Sequence, residues 1–189
     1  MEPTPDNHEW HAALGARNQH EETPEWRGSC DSYVRTMWDF IDDPDAPPLS
    51  AQQVRARLRA LKAVKADLLR LVAMARSGEI EGPSNHVQRR NEWSFPVAAG
   101  RSVHPMGELR YPRNGCDAWK LHHRAYFAAP TVWPGVLIWS LAAFKPDQSI
   151  ATDWADRQDA QIETADRSAA QFIDDQDAVI AAVHDRMGN

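Results

Sequence analysis

The sequence predicts an α+β domain in which an N-terminal helical pair packs on a small curved antiparallel sheet of three or four strands, followed by a C-terminal helix. Apolar residues recur at helical spacing up to about residue 76 and again from about residue 153, whereas the stretch between them has the two-residue period of strands. No apolar run approaches the roughly 20 residues that a bilayer span needs. We therefore expect the 189 residues to form a soluble protein.

Three segments are predicted along the chain. Residues 1–28 contain three prolines and no sustained period, and they are expected to form a flexible arm. The α+β domain is assigned to residues 29–172, and residues 173–189 form a helical extension. The first ten residues contain neither Lys nor Arg and no apolar block, so we expect no secretory signal and a cytoplasmic location.

The helical pair is predicted from its start and stop signals. Residues 29–41 have helical spacing and are followed by a proline-rich stretch that stops the helix. Ser50 and Gln53 have the spacing of a capping box, which starts a long helix over residues 51–76. One side of that helix is apolar and its other sides are basic.

The strands are predicted at residues 106–111, 119–128 and 136–144, after a weaker candidate over residues 93–97. The last of them is apolar except for Ser140, as expected of a central strand. Helical spacing returns after Asp153, the expected N-cap, and a final helical piece surrounds residues 179–183.

Charge is divided unevenly along the chain. The net charge of −6 combines −8 over residues 1–49, +9 over residues 50–145 and −7 over residues 146–189. A cationic middle between anionic ends favours a basic functional surface that the ends offset or cover. The alternative is that solvated surfaces simply differ in charge.

The strand over residues 119–128 carries the most informative pattern. Alternation places four polar side chains on one face, namely Lys120, His122, Arg124 and Tyr126. Cations stabilise a phosphorane that gains negative charge, and an imidazole moves protons near neutrality. Because RNA supplies its own 2′-OH nucleophile, we expect no metal and no cofactor. A solvated face of a half-exposed sheet is the alternative interpretation.

The two cysteines, Cys30 and Cys116, are too few for a disulfide framework or a cysteine-based zinc site, and both are expected to be reduced.

A family resemblance covers roughly residues 50–172. The segment Glu108-Leu109-Arg110, the segment from Arg124 to Pro130, an apolar strand ending in Lys145, and a helix with Ile162, Ala165 and Arg167 occur in that order. This order resembles the RelE/ParE superfamily of bacterial type II toxins. The resemblance implies a RelE-like fold and a toxin neutralised by a cognate antitoxin. Such toxins are most often endoribonucleases that cut mRNA on the ribosome, and otherwise they poison gyrase.

The resemblance also implies site residues. Arg110, Arg124 and Lys145 match the family's basic positions, and we add His122 and Tyr126 as proton-transfer candidates on chemical grounds. The expected RNA-binding residues are Lys120, His123, Arg113, Lys62 and Lys65.

Two departures from the family pattern stand out. Glu108 lies where potent ribosome-dependent nucleases tend to have a lysine, and no tyrosine follows Tyr126. A non-catalytic gyrase inhibitor and an inactive interaction protein of the same fold therefore stay open as alternatives. A homodimer and a hetero-oligomer also stay open.

Overall fold

The computed structural model describes the backbone of residues 9–12, 24–76, 93–97, 102–112, 115–132 and 136–187. Within these ranges it contains three helices and five strands. In chain order they are β1 (Glu9–Ala12), α1 (Pro24–Ile41), α2 (Ala51–Arg76), β2 (Trp93–Ser94), β3 (Met106–Tyr111), β4 (Leu121–Ala128), β5 (Val136–Pro146) and α3 (Trp154–Met187). None of the helices in the described ranges is long and apolar enough to cross a membrane.

The strands form one sheet in the order β1-β5-β4-β3-β2. Strands β2 to β5 are antiparallel neighbours, which confirms the predicted α+β class with helices on a small antiparallel sheet. Strand β1 was not predicted. It pairs in parallel with residues 136–139 of β5 and lies inside the segment expected to be a flexible arm. Helix α1 also begins within that segment, at Pro24.

Local hydrogen bonds explain where several elements begin. The Ser50 N–H donates to Gln53 Oε1 (2.9 Å) and the Gln53 N–H donates to Ser50 Oγ (3.3 Å), so the predicted capping box starts α2 at the predicted residue. Helix α3 begins directly after Asp153, as predicted, although the Asp153 carboxylate accepts from the Arg157 side chain (2.7 Å). The final helical piece belongs to the same continuous helix.

Strand β4 begins two residues later than predicted, because a tight turn precedes it. The Asp117 carboxylate oxygen Oδ1 accepts hydrogen bonds from the N–H groups of Trp119 (2.8 Å) and Leu121 (2.9 Å). Lys120 has a φ of 60° in this turn, a left-handed conformation that cannot continue into a strand. Lys120 is therefore not part of the polar strand face.

The core forms two layers, one on each face of the sheet. Helices α1 and α2 pack on the face that carries Leu109, Leu121, Ala125 and Phe127. Helix α3 packs on the opposite face through Ile162, Ala165, Ala169, Phe172 and Ile173, against Met106, Tyr126, Ala128, Ile138 and Ala143. The alternation predicted for β4 is thus confirmed, but its supposedly polar face is largely covered by α3.

A β-bulge in β5 changes which face its last residues occupy. Phe127 pairs with Trp139 whereas Tyr126 pairs with Leu141, which leaves Ser140 as an extra residue. One extra residue shifts the two-residue alternation by one position. Beyond the bulge, Lys145 therefore lies opposite His122, on the face of the sheet that α3 covers. Without the bulge, alternation from Leu137 would place Lys145 on the opposite face, which α1 and α2 cover.

We expect Gly107→Ala to destabilise the fold by about 1–3 kcal/mol, because a Cβ at this position would overlap the Phe127 ring, which is itself packed in the core. Urea unfolding measures the change. The reduced ring of Phe127→Leu should make the Gly107→Ala substitution less costly in the double variant. An equal cost in both backgrounds would contradict this contact.

Candidate nucleic-acid interface

Four charged side chains meet on the α3 face of the sheet. Arg110 in β3 lies opposite Arg124 in β4, and Glu108 lies two residues before Arg110 on the same face. The Nε of Arg110 lies 2.7 Å from Glu108 Oε1, and the Nε of Arg124 lies 3.2 Å from Glu108 Oε2. With Lys145 they form what we call the Glu108 cluster: Glu108, Arg110, Arg124 and Lys145.

The first turns of α3 close over one side of the cluster. Lys145 Nζ donates to Gln158 Oε1 (2.7 Å) and lies 4.4 Å from the centre of the Trp154 ring. The Gln158 amide in turn donates to Glu108 Oε2 (3.4 Å). Burial and the neighbouring Arg124 charge lower the pKa of Lys145, which shows that the cationic groups share one electrostatic environment.

The members of the cluster differ in accessibility. The side chains of Glu108 and Arg124 are only 2% and 8% exposed, whereas that of Arg110 is 31% exposed and Lys145 is half-buried. A ligand can therefore reach Arg110 and Lys145, with Arg124 behind them. Three cations and one carboxylate give these four side chains a formal charge of +2.

Arg124 is held from two sides. Its Nη1 donates to the His123 carbonyl (2.9 Å), while its buried Nε faces Glu108 as an ion pair without the geometry of a directed hydrogen bond. Burial lowers the pKa of Arg124, and the charge of Glu108 opposes that effect. Glu108 is thus the counter-charge that offsets the cost of burying the Arg124 guanidinium.

His122 lies at the outer end of the cluster, opposite Lys145. Its Nε2 lies 2.9 Å from Asp147 Oδ2. Hydrogen bonds from Ser149, followed by the bond with His122, lower the pKa of Asp147 well below its usual range, so this carboxylate stays ionised. A proton on Nε2 would be shared with Asp147, which leaves Nδ1 of His122 as a proton acceptor.

Two predicted site residues are inaccessible. Tyr126 is fully buried, its hydroxyl donates to Gln161 Oε1 (3.3 Å), and burial raises its pKa, so it cannot exchange a proton with a substrate. His123 is also fully buried, on the opposite face of the sheet. Its Nδ1 bonds the Tyr33 hydroxyl (2.5 Å) and its Nε2 bonds Asp117 Oδ2 (2.8 Å), so it cannot contact RNA in this fold.

Two of the other expected RNA-binding residues lie on the opposite side of the sheet from the cluster. Lys62 is exposed and Lys65 half-buried on α2, which packs on the other face of the sheet. Lys120 is exposed in the turn before β4, and its carbonyl accepts the Asp147 N–H (2.7 Å). Arg113 lies outside the described residues. The structure therefore brings Arg110, Arg124, Lys145 and His122 together and separates Lys62 and Lys65 from them.

The sequence interpretation missed the part played by Glu108. It treated this residue as a departure from a family pattern, although its position two residues before Arg110 already placed both side chains on one strand face. It also missed Gln158 and Trp154, since no local pattern shows which turn of α3 reaches the sheet.

A scan against protein-family models, a search of the curated proteins and a search of solved structures found no match.

We expect Glu108→Gln to lower the free energy of unfolding by roughly 3 kcal/mol, because it removes the only negative charge of the cluster and leaves Arg124 buried without a counter-charge. Chemical denaturation measures the loss. Asp174→Asn, which neutralises an exposed carboxylate on α3, is the matched control. A loss below about 1 kcal/mol, typical of surface pairs, would show that Glu108 does not hold Arg124 in place.

Proposed function

We propose that this protein is the toxin component of a type II toxin–antitoxin system and cleaves RNA at the Glu108 cluster. The observation that carries the proposal is the convergence of Arg110, Arg124 and Lys145, from three neighbouring strands, beside the imidazole of His122. The resemblance to RelE/ParE toxins supplies the biological context: a cytoplasmic location, mRNA on the ribosome as the substrate, and a cognate antitoxin as the partner.

The proposed reaction needs only the RNA, water, the side chains of the Glu108 cluster and His122. The 2′-oxygen attacks the adjacent phosphorus, the P–O2′ bond forms and the P–O5′ bond breaks, which yields a 2′,3′-cyclic phosphate and a 5′-hydroxyl. His122 accepts the proton of the 2′-OH, and the departing 5′-oxygen takes up a proton from water. Arg110 and Lys145 contact the phosphate oxygens as their negative charge grows, and Arg124 strengthens that field from behind.

His122 is the proposed proton-transfer residue. Its side chain is 19% exposed, and the hydrogen bond to Asp147 fixes the orientation of the ring. An oriented imidazole that can accept a proton on its free nitrogen suits the removal of the 2′-OH proton. Tyr126 has no place in this mechanism, because its hydroxyl is buried under α3.

A second candidate is a non-catalytic interaction protein of the same fold. The observation that favours it is that Glu108 already pairs two of the three cations and α3 covers Arg124. This candidate predicts that a protein partner, and no RNA, binds over the cluster. An RNA-cleavage assay separates the two candidates.

We expect the purified protein to cleave single-stranded or ribosome-bound RNA in the presence of a metal chelator and to leave 2′,3′-cyclic phosphate ends, detected by mass spectrometry. His122→Gln should slow cleavage about 10²–10⁴-fold, since it removes the proton acceptor. Lys145→Ala and Arg110→Ala should lower the rate and flatten its dependence on salt, because each removes a phosphate contact.

Arg35→Ala is the matched control. It removes one exposed positive charge from α1, which packs on the other face of the sheet, and it should cleave RNA at the wild-type rate. Circular dichroism verifies that each variant is folded. Absence of cleavage by the wild type on both substrates, or equal rates for His122→Gln and wild type, would overturn the proposal.

A further inference from the structure

Three side chains with different metal-binding atoms meet beside the outer end of the Glu108 cluster. Cys116 precedes β4, His122 lies in β4, and Asp147 directly follows β5. One ligand atom from each, the thiol sulfur, an imidazole nitrogen and a carboxylate oxygen, lies within 4.8 Å of the other two. The hydrogen bond between His122 and Asp147 does not require a thiol nearby. The proximity of the Cys116 thiol to both groups therefore suggests a shared ligand.

The spacing of these atoms is close to that of a tetrahedral zinc site. With bonds of about 2.3 Å to sulfur and about 2.0–2.2 Å to nitrogen and oxygen, tetrahedral ligand atoms lie roughly 3.3–3.7 Å apart. The His122 and Asp147 atoms lie 2.9 Å apart and would separate slightly, while the sulfur would approach by about 1.3 Å at most. Side-chain rotations can supply displacements of this size.

Local backbone geometry and hydrogen bonds position the segments that carry these residues without a bound metal. The second oxygen of Asp147 accepts the Ser149 N–H (2.9 Å), which orients the carboxylate. The Asp147 N–H donates to the Lys120 carbonyl (2.7 Å), which joins the end of β5 to the turn before β4. Gly115, with a φ of 71°, supplies the left-handed conformation from which the chain turns into Cys116.

We propose that Cys116, His122 and Asp147 bind a zinc ion, with the fourth position open to water. A thiolate and a carboxylate together balance the charge of Zn²⁺, and sulfur, imidazole and carboxylate are the ligands that zinc uses in proteins. All three residues are half-buried, so the open position reaches solvent. The expectation of no metal followed from the 2′-OH nucleophile that RNA supplies, and a mixed site assembled from three separate elements has no motif spacing in the sequence.

Zinc at this site has a consequence that rests on the proposed function. When zinc binds one ring nitrogen of neutral His122, the other nitrogen carries the proton, so the ring has no nitrogen left to accept the proton of the 2′-OH. Zinc is therefore expected to inhibit RNA cleavage, and a chelator to restore it. Metal binding itself is measured without RNA, so its failure and the failure of the proposed function are distinguishable.

The test uses the full-length protein with Co²⁺ as a spectroscopic probe and Zn²⁺ as its competitor. We expect one equivalent of Co²⁺ to give a thiolate-to-cobalt charge-transfer band, which Zn²⁺ abolishes. The band should persist in Cys30→Ser and disappear in Cys116→Ser, because the Cys116 thiol lies beside His122 and Asp147. Binding should also release a proton from the thiol, which calorimetry in two buffers detects.

Two further variants test the other ligands. Asp147→Asn retains an oxygen for the Ser149 N–H and so preserves the turn, yet it should weaken Zn²⁺ binding at least about 10–100-fold, as should His122→Gln. His104→Gln, on a separate loop, is the matched histidine control and should bind like wild type. A charge-transfer band that survives in Cys116→Ser, or an unchanged Zn²⁺ affinity in both Asp147→Asn and His122→Gln, would overturn the proposal.

Discussion

The carboxylate of Glu108 lies between the guanidinium groups of Arg110 and Arg124, in a position that is almost completely closed to water. Two charges buried at Glu108 and Arg124 would each be costly alone, so each requires the other. Arg110 and Lys145 then lie around this pair at a more open position. The cluster is thus divided into a buried pair, Glu108 and Arg124, and a more accessible pair, Arg110 and Lys145.

Helix α3 has two effects on this cluster. Its apolar residues, such as Ile162 and Phe172, pack against this face of the sheet. Its first turns place Gln158 against both Lys145 and Glu108, which fixes the ammonium group beside the guanidinium groups. Arg110 is the member of the cluster that stays about one-third exposed.

Much of this arrangement could be predicted from the sequence where the signal is local. The capping box at Ser50 places the start of α2, and strand alternation places His122, Arg124 and Tyr126 on one face. Non-local features escaped prediction for physical reasons. An apolar run does not reveal a bulge, so the shift at Ser140 that moves Lys145 across the sheet could not be inferred, and alternation does not reveal that α3 buries Tyr126.

The proposed function requires that RNA contacts Arg110 and Lys145, the accessible members of the Glu108 cluster, on the α3 side of the sheet. Nuclear magnetic resonance of the arginine Nε–H and lysine side-chain signals during titration with a short single-stranded RNA tests this most directly. Arg110 and Lys145 should shift as RNA saturates the protein, and the shifts should reverse with added salt. Shifts confined to basic residues of α2, with Arg110 and Lys145 unmoved at saturation, would contradict the account.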